Sequence, residues 1–149
     1  MSHCTSIENF RFSVLPNNVS GGVSIPLTLS PTPTILASLT LRSNCDFDFT
    51  VLTATVGWLA VTDGTDLERV NVLFKIWRGA PLTGCLIFSA DDSGESGFDS
   101  RKVTSFTHVD TGLRSFKDPT YFLTAELPDT GSAATVIGPI TFTATEFER

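Results

Sequence analysis

The side chains able to do chemistry are few: two histidines, three cysteines, one acidic run and two tryptophans. His3 lies in the first residues, and His108 sits in an alternating segment on the face opposite Val103, Ser105, Thr107 and Val109. No nucleophile–base motif surrounds either one, so a triad would have to be assembled from distant residues. The plain reading of His108 is a solvated side chain on an exposed strand face. GxSxG, HExxH, P-loop and GxGxxG patterns are all missing. The expectation is a chain with no catalytic residues, no cofactor and no metal: not an enzyme.

The remaining candidates point the same way. Cys4, Cys45 and Cys85 form no CxxC and no Cys/His cluster, so zinc spacing is missing. Three thiols allow at most one internal disulfide, which leaves at least one free or paired with another chain. Asp91-Asp-Ser-Gly-Glu-Ser-Gly-Phe-Asp99 carries oxygen ligands on a glycine-bearing stretch. Calcium takes about 6–8 oxygens, but the spacing is not that of an EF-hand loop. A solvated loop tip is the simpler reading. Trp58 and Trp77 have the ring area to stack on sugars. Trp58 continues an apolar strand face and reads as core. Trp77 falls opposite Val72, Phe74 and Ile76 and is the better exposed contact, with core or subunit interface ahead of a sugar platform.

The elements that position these residues are strands. In 149 residues, 16 Asp+Glu stand against 10 Lys+Arg, a net charge of −6. That balance argues against a nucleic-acid partner, whose phosphates are bound by clustered Lys and Arg. Charged residues are 17% of the chain, below the roughly 25% of soluble domains. Polarity comes instead from 21 Thr and 15 Ser, and 12 Phe supply core material. No window nears the roughly 18 apolar residues of a membrane span, and the first residues lack a secretory pattern, so synthesis in a cytosol is expected.

Alternation with a period of two runs through the chain. It covers Phe10–Val14, Phe47–Ala60 and Val70–Trp77, with further candidate strands at Val23–Leu29, Thr34–Leu41, Cys85–Ala90, Lys102–Asp110, Thr120–Leu127 and Thr135–Phe147. Phe47, Phe49 and Val51 give way to Leu52, Ala54, Val56, Trp58 and Ala60, a change of parity that predicts a β-bulge. Ile140-Thr-Phe-Thr-Ala-Thr145 places threonine on alternate positions, as a solvated sheet face prefers. Gly- and Pro-rich turns fall between the runs, and no helical period appears. The predicted fold is all-β: an antiparallel two-sheet sandwich, a jelly roll, with an N-terminal extension strand.

That extension is the informative element. Residues 1–15 read as a connector arm, residues 16–22 (Pro16-Asn-Asn-Val-Ser-Gly-Gly22) as a flexible hinge, and residues 23–149 as the sandwich domain. A lone strand cannot bury Phe10, Phe12 and Val14 by itself and must pair with a sheet edge, its own or a neighbour's. Addition to a neighbour gives main-chain hydrogen bonds, with alternate side chains filling the neighbour's core. Such a head-to-tail contact does not close and so propagates. Cys4 would sit at the tip of the arm, its partner in the neighbour Cys45 or Cys85, with Cys45 favoured because it lies in a polar turn while Cys85 opens an apolar strand.

Ala54-Thr-Val-Gly-Trp58, Val72-Leu-Phe-Lys-Ile-Trp-Arg78 and Ala134-Thr-Val-Ile-Gly-Pro-Ile-Thr-Phe-Thr-Ala144, together with the Cys-bearing N-terminus, resemble the subunits of bacterial endospore appendages and spore-surface (exosporium) proteins. The resemblance implies subunits made in the mother cell, joined through N-terminal connectors and hardened by disulfides after release. It also implies a final place on the cell or spore surface and an anchor in the spore coat or exosporium. The best-known connectors carry paired or clustered cysteines, whereas Cys4 stands alone. The leading expectation is a self-assembling fibre subunit whose partners are copies of itself. The alternative is a lectin-like or receptor-binding head.

Overall fold

A computed structural model describes residues 6–42, 49–61, 69–97, 100–111 and 118–148. Nine strands are found among them: β1 (Ser6–Val14), β2 (Ile25–Pro26), β3 (Thr34–Thr40), β4 (Phe49–Val61), β5 (Arg69–Arg78), β6 (Cys85–Glu95), β7 (Arg101–Asp110), β8 (Thr120–Glu126) and β9 (Ala133–Glu148). They form one sheet in the order β1-β9-β4-β7, with β2 also on β9, and a second in the order β3-β8-β5-β6. Every strand pairing is antiparallel. With β1 and β2 sharing the first place, successive strands wind between the sheets in the manner of a jelly roll. The predicted two-sheet sandwich is the observed fold.

Alternation explains the core. Leu52, Ala54, Val56 and Trp58 of β4 and Phe142 and Ala144 of β9 point inward from one sheet. Val72, Phe74 and Ile76 of β5 and Leu123 and Ala125 of β8 meet them from the other. Each fully buried aliphatic or aromatic side chain contributes about 1.5–3 kcal/mol, enough for a core of this size to hold both sheets together.

Three local expectations need correction. β4 has no bulge at Val51–Leu52: its pairing with β7 is continuous from Thr50 to Leu59. Thr50 is buried and holds the inward parity that an apolar residue was expected to break, so Phe49 and Val51 simply lie on the outer face. The irregularity lies further along, where Val56 pairs Ile140 and Trp58 pairs Val136, so β9 carries the extra residues. Gly57 and Gly138 make this possible. A Cβ on Gly57 would fall 2.0 Å from the Gly138 carbonyl oxygen, and Gly138 itself has φ +88°. The second correction concerns Val23–Leu29, of which only Ile25–Pro26 is strand, with a single bridge from Leu29 to Leu127. The third is the Asp91–Asp99 loop. Asp91 to Glu95 belong to β6, and Asp99 lies outside the described residues.

β1 and β2 line the same side of β9, one on each side of its bulge. The proposed hinge bridges them and is tied down. The Gly21 and Val23 amides donate to the Ile137 carbonyl at 2.9 and 3.3 Å, and the Ile140 amide donates to Asn18 Oδ1 at 2.8 Å. Asn18 thereby replaces a strand partner where the ladder is interrupted. Where flexibility was expected there is a bonded crossing, because this segment satisfies β9 groups that the bulge leaves outside the ladder.

Candidate assembly surface

Sequence reasoning seats Phe10, Phe12 and Val14 in a groove of a neighbour. In the single chain β1 instead runs along its own β9, from Ser6 opposite Glu148 to Val14 opposite Thr141. Phe10, Phe12 and Val14 share the face of Thr145, Thr143 and Thr141, which is the outer face. They are 51%, 62% and 46% exposed, so this pairing buries none of them. Among the described residues, no strand pairs with the outward edge of β1.

Strand register extends this face across the whole sheet. Phe10, Thr145, Val51 and Val109 form one cross-strand row; Phe12, Thr143, Thr53 and Thr107 the next; Val14, Thr141, Thr55 and Ser105 a third. At one end the Phe49 and Phe147 rings stack at 5.0 Å beside Ile7. None of these residues is charged. The hydroxyls of Thr53 and Thr143 bond one another, and those of Thr55 and Ser105 do so at 3.0 Å. Val103, on β7, is 64% exposed. The exposed apolar face of β7 is thus the valine one, and His108 points the other way. Its ring lies 5.5 Å from Phe88, half-buried between the sheets, which corrects the reading of a solvated histidine.

The outer face of the second sheet is built differently. Trp77 lies on it as predicted but is only 6% exposed, its indole N–H donating to Thr124 Oγ1 at 3.0 Å. The Lys75 ammonium lies 5.7 Å from the Trp77 ring centre and pairs with the buried carboxylate of Glu126. Trp77 is therefore not a platform for sugar. Trp58 is core, as expected, its N–H donating to Thr104 Oγ1 at 2.9 Å. Thr104 in turn donates to Asp92 Oδ2 at 2.6 Å, so Asp92 serves a tie between β6 and β7.

A polar tie that sequence reasoning missed closes one end of the sandwich. Arg78 Nε and Nη2 donate to the two Asp110 carboxylate oxygens at 2.9 and 2.5 Å, and the Tyr121 hydroxyl donates to Oδ2 at 2.8 Å. The hydrogen bond to Asp110 raises the Arg78 pKa above its ordinary value. Burial, then the Asp110 charge, pushes the Tyr121 phenol far above its own. Both groups therefore keep their protons, and the tie joins β5 and β8 to β7 as a two-pronged charge-assisted contact. The only signal in the sequence is a charged residue closing each of two apolar strands.

Of the thiols, Cys85 is free and exposed at the start of β6, opposite Arg78. Cys4 and Cys45 lie outside the described residues. Among the described residues no three His, Cys, Asp or Glu side chains are grouped to hold a metal, and no helix is long and apolar enough to cross a membrane.

No protein-family profile matches this sequence, and no curated protein sequence matches it. Solved structures do share its fold. Dimeric latent PorU of Porphyromonas gingivalis matches with TM-score 0.53 at 13% identity, over 93% of this chain and 12% of PorU. The protein of infectious bursal virus-derived T=1 particles matches with TM-score 0.50 at 12% identity, over 97% of this chain and 37% of the viral one. The chain thus spans well under half the length of either, and the likeness is one of fold.

Proposed function

We propose that this chain is a non-enzymatic structural subunit that assembles with copies of itself, through β1, into a fibre displayed on a cell or spore surface. The observation that carries the reading is the edge strand β1. It presents Phe10, Phe12 and Val14 to solvent, pairs on its outer edge with no strand among the described residues, and joins the rest of the chain through residues 15–24. An exposed apolar edge strand invites pairing with another chain. The β1–β9 ladder can be made by a strand from the same chain or from a neighbour with identical bonds, so exchange keeps that ladder and costs the bonds that tie residues 18–23 to β9. Support from the fold is coarser: a jelly-roll protein of this kind builds the virus-derived T=1 particles named above.

Exposed Cys85 then becomes a reachable partner for Cys4 of the next subunit, with Cys45 the other candidate. Thiols stay reduced in a cytosol and oxidise outside it, so the cross-link hardens an assembly already formed. Negative-stain microscopy of the full chain and of a chain lacking residues 1–15 tests the reading. Filaments from the first and none from the second are expected, with a reductant-sensitive ladder on gels of oxidised filaments that is lost in Cys4→Ser. Discrete monomers from the full chain under oxidising conditions would remove it.

A further inference from the structure

We infer that the outer face of the β1-β9-β4-β7 sheet is where a second copy of this chain docks, sheet face against sheet face. The inference rests on the self-assembly reading and names a contact for it that does not depend on strand exchange. Charge is the first argument. Each copy carries −6, so two copies repel, least so where neither presents charge. The register rows from Phe10 to Val109 and from Val14 to Ser105 form such a surface.

Hydrogen bonding is the second. Covering a free hydroxyl with an apolar surface is unfavourable, because its bond to water is lost. On this face Thr53 bonds Thr143 and Thr55 bonds Ser105, so their methyl groups can meet a partner while the hydroxyls stay satisfied. Area is the third. Four strands about 4.8 Å apart, each running about eight residues at roughly 3.3 Å with every second side chain on this face, cover on the order of 500 Å². Two copies then remove on the order of 1,000 Å² from water, the lower bound for a specific contact. Packing of aligned sheets about 10 Å apart is the ordinary way two such faces meet. A contact of one face with itself closes at two copies, so it adds lateral pairing to whatever contact propagates the fibre.

The test is sedimentation velocity of the full chain over a concentration series with reductant present, which removes any disulfide contribution. Val109→Glu and Val103→Glu alter β7, on the far side of the sheet from β1, at side chains 46% and 64% exposed. Ser89→Glu, exposed on the other sheet, adds the same charge elsewhere. Circular dichroism checks that each variant folds, and either β7 variant alone suffices. The expected result is a wild type that self-associates, at least tenfold weaker association in the β7 variants, and no change in Ser89→Glu. If the β7 variants associate like wild type, or Ser89→Glu weakens association equally, the face is excluded while self-assembly by another contact stands. A wild type that stays monomeric throughout overturns both readings. Retention of that monomer on phosphatidylcholine vesicles would give the face to lipid instead.

Discussion

The two outward faces of this sandwich use similar strands and reach opposite solutions. On the β3-β8-β5-β6 face, Trp77, Thr124 and Glu126 are buried, held by an indole hydrogen bond and by the Lys75 ammonium reaching to Glu126. On the β1-β9-β4-β7 face, phenylalanine, valine and threonine stand exposed or half-exposed, with no charge among the rows, two hydroxyl pairs bonded to each other and Thr141 accepting from Asn18. The centre of the first face is covered within the chain, with Ile35 and Leu86 left exposed on its edge strands. The second has two hydroxyl pairs bonded within the sheet and its apolar side chains uncovered, the composition of the docking face inferred above.

Removing the charge that finishes the first face should have the largest effect. Lys75→Met leaves Glu126 fully buried without its counter-charge, a loss of about 3–5 kcal/mol. For a chain of this length, each kcal/mol lowers the melting temperature by roughly 2–4 °C. The double variant Lys75→Met/Glu126→Leu should recover most of the loss, since an apolar pair of similar volume replaces a buried ion pair with little penalty. Calorimetry of both variants checks this. A double variant no more stable than the single would show that Lys75 acts otherwise than by neutralising Glu126.

Before the structure, the sandwich itself was legible, because period-two alternation survives in nearly every strand. β3, β5, β7 and β8 fall within a residue or so of their sequence-derived spans. What alternation cannot say is which parity faces inward when both carry apolar residues. Phe10, Phe12 and Val14 were the apolar parity of β1 and turned out to face solvent. Trp77 was placed on the correct face, but its burial depends on Lys75 and Thr124, and Thr124 is a strand away. Thr50 and Glu146 defeat pattern reading for the reverse reason: they are polar residues on the buried parity, opposite one another across β4 and β9. The connector reading expected Phe10, Phe12 and Val14 to fill a groove, and in the single chain they stand exposed on β1; edge pairing within the chain looks the same in sequence as pairing with a neighbour.

Glu146 sharpens the comparison, because it is as buried as Glu126 and pairs with no lysine among the described residues. Burial raises its pKa above the ordinary carboxylate value. Asn9 and Arg11, on the adjacent β1, pull it down, and Asp118 and Glu8 push it further up. The folded chain therefore holds a proton that the unfolded chain, titrating near 4.3, releases. Stability from this group is full below that value and falls as pH rises through the higher folded pKa. Glu146→Gln, which is neutral at any pH, should gain on the order of 1 kcal/mol at pH 7 and nothing near pH 4. Urea unfolding at pH 4, 5.5 and 7 measures the gap, and a gap that does not widen with pH would show that Glu146 is not the group responsible.

The smallest expected effect is the most discriminating. Thr143→Val on the bare face and Thr124→Val on the finished one are the same chemical change, each in a strand interior and each removing one hydroxyl. Thr124 is fully buried and accepts the Trp77 indole proton, so its loss leaves a buried N–H unpaired, a penalty of about 1–3 kcal/mol. Thr143 is half-exposed and bonds only Thr53, whose hydroxyl can turn to water once its partner is gone. Valine is at least as good a strand residue, so Thr143→Val should leave folding stability within about 0.5 kcal/mol. Its effect belongs instead to association: another methyl on an uncharged face should strengthen self-association or leave it unchanged, where a charge on the same face would abolish it. Paired urea titrations and sedimentation runs read both quantities on the same sample. Equal destabilisation by the two substitutions would mean that the threonine rows are as integral to the fold as Trp77, and the distinction between a finished and an unfinished face would fail.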